Sequence, residues 1–325
     1  MFFLLLSILT ILIFVCYNDD KLTSCFGKRK VGIKMEKKLK VLMIGAHPDD
    51  CDIEGGGLAL KYARAGHSVR FLAVCNGCGG HHKMKPADLA ERRRLETQKV
   101  AALAKIEYDV WEIPDCEVIA TLENRKRMIS YIRNYNPDII FTHRTNDYHA
   151  DHRNTAMLVQ DSAYLLIVPN LCPEAPAMRS MPVIMHFRDG FKNPVFRPDV
   201  VIDIDDVIDD KFEIFNCHVS QFYEWLPYTY GKEHLVPADE SKRLEWLHSP
   251  RISREIPMTF EELDAVDSGS HHSEPKEARW ASKYRENLVE RYGERGKSVI
   301  FAEAFECSEY GAKLNDNNRK VLFPF

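Results

Sequence analysis

From Leu39 onward, short apolar runs alternate with longer amphipathic stretches. The runs KVLMIG (40–45), SVRFLAV (68–74), YDVWEI (108–113), PDIIFTH (137–143), PVIMHF (182–187) and DVVIDI (199–204) have the length and near-continuous hydrophobicity of buried strands. Between them helices are predicted over 54–65, closed by Gly66, over 86–105, opened by Pro86, and over 123–134 and 152–166. A further helix is predicted from Asp206 to Gln221. Repeated βα units of this kind make an α/β fold: a Rossmann-like, mostly parallel sheet with helices on both faces. Past Pro227 the pattern weakens, although 240–253 and 275–292 keep helical character. The chain therefore divides into an apolar N-terminal segment (1–34), a core (35–221) and a C-terminal extension packed on the core (222–325).

The 325 residues are 45% hydrophobic and 28% charged, with a formal net charge of -4. No basic bias marks a nucleic-acid binder, so nucleic acid is not expected as a partner. The nine cysteines, odd in number and scattered in spacing, argue against a secreted disulfide framework and for a reducing compartment. The run FFLLLSILTILIFVCY (2–17) falls short of the about 20 residues that a membrane span needs. It also lacks the positive n-region and A-x-A-like site of a signal peptide. Two readings of residues 1–34 stand. Either they anchor the chain, with Lys28, Arg29, Lys30 and Lys34 favouring a cytoplasmic main domain, or translation begins at Met35 and the protein is cytoplasmic. Membrane contact is expected only through 2–17, and no pattern specifies an oligomeric state.

Two polar clusters sit just past strand carboxyl ends, where open α/β sheets bind ligands. His47, Asp49 and Asp50 follow the first strand; His143, Asp147, His149, Asp151 and His152 follow the fourth, in HRTNDYHADHRN (143–154). Adjacent carboxylates repel and cost free energy when desolvated. A cation answers both problems. Imidazole and carboxylate are ligands of catalytic zinc, which takes three protein ligands and keeps one position for water. Alone, AHPDD…GGG also reads as an aspartate-capped strand-to-helix turn. The second cluster is what makes a metal the stronger reading.

AHPDD after the first strand, together with HADH after a later one, resembles the PIG-L/LmbE-like zinc deacetylases, which remove acetyl groups from N-acetylglucosamine-type substrates. CHVSQF (217–222) is similar to a His-x-Ser-Gln segment near the end of that family's core, and RRLE (93–96) to its Arg-x-x-Glu helix. The resemblance spans residues 38–221 and implies an LmbE-like fold. It implies one zinc ion held by His47, Asp50 and His152, with Asp49 as general base. It implies that His149 stabilises the oxyanion or donates the proton, that Asp151 orients His149, and that Arg93 lies near the substrate. The implied substrate is a small-molecule or glycoconjugate amino sugar, and the products are acetate and a free amine. Iron(II) or cobalt could fill the same donors. Two alternatives stay open: a metal-dependent hydrolase of another amide or ester, and a sugar-binding relative that has lost turnover.

Other features read as scaffold. Cys75-x-x-Cys78 is a loop at the end of strand two, Cys51 is packing, and DIDDVIDD (203–210) is a strand end and a capped helix. His143 reads as a supporting residue. Tyr148, beside His149, carries no assigned role. YEWLPYTY (223–230) fits sugar stacking and core packing equally, and His271-His272 is a loop pair without partners nearby in sequence.

Overall fold

The computed structural model describes residues 37–248, 252–265 and 276–325. The apolar run 2–17, the segment 1–34 and the His271-His272 pair lie outside the described residues. Each apolar run forms a strand: β1 Lys40–Gly45, β2 Ser68–Cys75, β3 Glu107–Ile113, β4 Ile139–Thr142, β5 Val183–Phe187 and β6 Val200–Asp203. A seventh strand, β7 Ala302–Gly311, was not expected. The sheet order is β3-β2-β1-β4-β5-β7-β6. β1 pairs parallel with β2 and β4, and β7 runs antiparallel to both of its neighbours.

The sheet is buried on both faces because its strands are apolar on both. Successive side chains alternate sides. Val41 and Met43 join one core with Phe71, Phe141 and Met185. Leu42 and Ile44 join another with Leu72, Val74 and Ile140. Helices α1 (Asp50–Arg64), α2 (Pro86–Ala104) and α5 (Ile208–Cys217) cover the first core, and α3 (Leu122–Tyr135) and α4 (Ala150–Ser162) the second. The strand order reverses between β1 and β4, so the two polar clusters meet at a topological switch point.

Three expectations change. First, α1 begins at Asp50 rather than at residue 54, so Gly55, Gly56 and Gly57 are helical. A Cβ on Gly55 would lie 2.8 Å from Met43 Sδ, and one on Gly57 2.9 Å from both Glu303 Oε1 and Ile204 Cγ2. Glycine here lets the helix lie close to β1 and β7, against a propensity cost of about 1 kcal/mol each relative to alanine. Second, α5 stops at Cys217, because His218 leaves helical geometry (φ -88, ψ 60) and is buried against Asp52. A π-helical turn, Ser220–Trp225, follows. Third, the helix expected over 275–292 is two, α6 (Lys276–Lys283) and α7 (Arg285–Tyr292).

The segment 222–325 is therefore more than a cover on the core, since β7 separates β5 from β6 within the sheet. Glu303 on β7 accepts the Gly57 and Leu58 N–H groups at 2.8 Å each. Lys211, fully buried on α5, reaches Glu303 and Glu277 at 2.7 Å each and donates to the Ile53 carbonyl at 2.8 Å. This ion cluster joins α1, α5, α6 and β7. Among the described residues no helix is long and apolar enough to cross a membrane.

Candidate active site

The chain leaves β1 at Gly45 and turns sharply. The His47 carbonyl accepts the Asp49 N–H at 2.9 Å, and Asp50 opens α1. Asp49 is the N-cap residue, so the two carboxylates diverge. Asp50 Oδ2 accepts the His47 backbone N–H at 2.7 Å and lies 3.1 Å from His143 Nε2. Asp49 turns to Arg93, whose Nη2 is 3.0 Å from its Oδ1. On the neighbouring strand's exit, His149 caps α4 and its Nδ1 accepts the Asp151 N–H at 3.1 Å. That cap presents His152 one turn into the helix.

The three residues expected to hold a metal come together. His47 Nδ1 is 3.1 Å from His152 Nε2, 3.4 Å from Asp50 Oδ2, and Asp50 Oδ1 is 3.4 Å from His152 Nε2. Ligands about 2.0–2.1 Å from one ion at tetrahedral angles stand about 3.3 Å apart. These separations are of that size, with Asp50 turning Oδ2 to His47 and Oδ1 to His152. Each donor is held from behind, as metal ligands commonly are. Asp147 Oδ1 is 3.0 Å from His152 Nδ1, leaving Nε2 for the ion. Asp115 Oδ1 and Asp151 Oδ2 lie 3.2 and 3.6 Å from His47 Nε2, leaving Nδ1. His143 braces Asp50 and stacks on His152 with ring centroids 4.0 Å apart.

The electrostatics ask for positive charge. Burial alone would push His47 down, yet Cys75, Asp50, Asp115 and Asp151 hold its pKa well above the usual histidine range. Burial likewise opposes the charged form of His152, but Asp50 and Asp147 raise it to about 9. Burial would raise Asp50, and His152, His143 and His47 hold it well below the carboxylate range. Protons on the histidines supply charge that a divalent cation would supply through the same atoms, so metal uptake should release protons. Burial, His47 and His152 lower His149, which sits at the edge of this field.

Two expected roles look different in place. The Asp151 carboxylate does not face the His149 ring: it accepts the Cys116 and Val118 N–H groups at 2.7 and 3.3 Å and braces His47. It is the Asp151 backbone that orients His149. Arg93 is 2% exposed and lies on the cleft floor beneath Asp49, also donating to the Gly77 carbonyl at 3.1 Å. Gly77, at φ +64, is obligatory there, since a Cβ would fall 2.4 Å from Arg93 Nη1.

Asp115 is the residue that the sequence reading missed. Its signal was its place after β3, at the same sheet edge as both clusters. The two shorter segments also meet. Glu96 of RRLE accepts the Ser220 N–H at 2.9 Å and its Oγ–H at 2.6 Å, tying α2 to the π-helical turn of CHVSQF. Above the site opens a cleft of about 740 Å³. Asp49, His149, Tyr148, Trp225 and Tyr230 line it, while Tyr223 is buried in the core, so YEWLPYTY is shared between cleft wall and core.

The chain is similar to several known proteins. The family described as GlcNAc-PI de-N-acetylase, PIG-L, matches residues 42–163. The diacetylchitobiose deacetylase of Thermococcus kodakarensis is 28% identical over 200 residues, 58% of this chain and 74% of that protein. The 4-oxalmesaconate hydratase of Pseudomonas putida is 23% identical over 196 residues, 58% of this chain and 76% of that one. In fold, the N,N'-diacetylchitobiose deacetylase from Pyrococcus horikoshii superposes with a TM-score of 0.56 at 22% identity, covering 83% of each chain. The stretch that resembles the PIG-L family runs from β1 through α4 and carries both polar clusters.

Proposed function

We propose that this protein is a metal-dependent N-deacetylase acting on an N-acetylglucosamine-type sugar or conjugate. The donor triangle of His47, Asp50 and His152, with an acidic residue immediately beside it, carries the reading. Zinc bound there would polarise the acetyl carbonyl and lower the pKa of water from 15.7 to about 7.

The chain's own residues supply the proton steps. Asp49 is adjacent to a donor but points away from it, so it is free to take a proton from the attacking water. Arg93 beneath it keeps the carboxylate in place. His149 holds its Nδ1 against the Asp151 N–H, so its remaining proton is on Nε2. From the cleft wall that N–H can stabilise the oxyanion, and the proton that Asp49 takes from water passes to the leaving amine, which departs poorly unless protonated. The products are acetate and the free amino sugar.

The test is acetate release from N-acetylglucosamine and short chitooligosaccharides, measured with metal content in one preparation, with and without chelator. Chelator-sensitive release is expected. Equal release from metal-free protein would overturn the reading. The similarity to a hydratase makes water addition to an unsaturated acid the competing reading. It would show as metal-dependent consumption of such an acid with no acetate from any acetylated substrate.

A further inference from the structure

A second group of metal-ligating side chains stands on the far side of His47. Asp115, Cys116 and His149 bring one donor atom each within 4.8 Å of one another. Cys116 Sγ lies 3.5 Å from Asp115 Oδ1. A thiolate at about 2.3 Å and a carboxylate oxygen at about 2.0 Å from one tetrahedral ion stand about 3.5 Å apart. All three residues line the cleft, and Cys116 is exposed to it.

Each donor is held for this face. The Gly79 N–H binds Asp115 Oδ2 at 3.1 Å, and Oδ1 stands between His47 Nε2, at 3.2 Å, and the thiol. Cys116 is in the left-handed region at φ 67, and its N–H is anchored 2.7 Å from Asp151 Oδ2. His149 Nδ1 meets the Asp151 N–H at 3.1 Å, so a metal reaches the ring at Nε2, once the proton there has moved. None of these is a member of the first donor triangle.

We propose that Asp115, Cys116 and His149 form a second, thiolate-containing cation site, and that a soft divalent ion bound there silences the enzyme. Binding forms a metal–sulfur bond and releases the Cys116 thiol proton to solvent. It also takes Nε2 of His149, whose proton moves to Nδ1 as the bond from the Asp151 N–H is given up, and so removes the N–H that serves the oxyanion. Metal would thus act with two signs: one equivalent activates, and a second inhibits. The inhibitory half rests on the role proposed for His149; the binding half does not.

The experiment titrates the full-length protein, loaded with one equivalent of zinc, with cadmium. Near-ultraviolet thiolate-to-metal charge transfer reports binding, and acetate release reports function. A charge-transfer band saturating at one added equivalent is expected, with acetate release falling in step. Cys116→Ser should lose the band, keep basal activity, and raise the inhibiting cadmium concentration by at least about 10-fold, the floor for losing even an outer partner of a metal. Cys75→Ser should keep the band, although Cys75 stands near His47, Asp115 and Asp151. No band, or a band that survives in Cys116→Ser, would overturn the proposal. If no acetate is released at any metal level the proposed reaction fails, and the band still decides the second site.

Discussion

Two clusters of buried charge border α1, one at its N-terminus and one at its middle, and they are built on opposite plans. Around Lys211 every partner is present. The ammonium has Glu303, Glu277 and the Ile53 carbonyl, and Glu303 also takes two backbone N–H groups. At the strand ends, Asp49 has Arg93, but Asp50, Asp115, Asp147 and Asp151 lean on histidines that must hold protons to answer them. The first cluster is closed and structural. The second is short of positive charge in a cleft, which is the signature of a site that takes a cation.

The sharpest way to break this contrast is His152→Ala. Metal content should fall to background by elemental analysis, and acetate release with it; a variant that keeps its metal would remove the triangle's meaning. Asp49→Ala should keep the metal and lower turnover about 10²–10⁴-fold, the usual share of a general base. Steady-state rates alongside metal analysis separate the two cases.

Lys211→Met tests the closed cluster. Leaving two buried carboxylates unpaired should cost about 3–5 kcal/mol in urea unfolding, with metal stoichiometry in the surviving folded protein unchanged. A loss of metal without a loss of stability would merge the clusters that are distinguished here. Asp147→Ala should weaken metal affinity about 10- to 100-fold through the freed His152 ring, read by competition with a chromogenic chelator.

The smallest effect is a pH dependence. Burial opposes charge on His218, but Asp52 raises its pKa net. A histidine raised by folding contributes its stability below the unfolded value, near 6.5, and loses it as pH climbs through the folded value. The stability gap between wild type and His218→Asn should therefore narrow from acid to alkaline pH; a gap that widens would contradict the Asp52 pairing.

What was legible in the sequence was local. β1 and β4 announce themselves as apolar runs, and the proposed donors lie within a few residues of their ends, so spacing and resemblance were enough to nominate them. What was hidden depends on partners far along the chain. Asp115 is one carboxylate after β3 until the fold sets it beside His47, 68 residues away. Asp151 lies two residues from His149, yet the turn at 115–118 claims its carboxylate. β7 was missed because AEAFECSEYG carries acidic residues through what became an inner strand. Glu303 can be buried there only because Lys211 arrives from another element, and no local pattern encodes that.

The antiparallel insertion of β7 sets a timetable for synthesis. Glu303 is translated 246 residues after Gly57, the helix position whose N–H it binds. At about 5–20 residues per second the ribosome needs on the order of 10–50 s to deliver it. Throughout that interval α1 holds three glycines and lacks its clamp, and a short glycine-rich helix is a poor one on its own. The AHPDD turn emerges among the first hundred residues but gains a rigid support only near the end of translation. A nascent chain stalled before β7 should therefore carry every proposed metal donor and still lack the support that holds them in place.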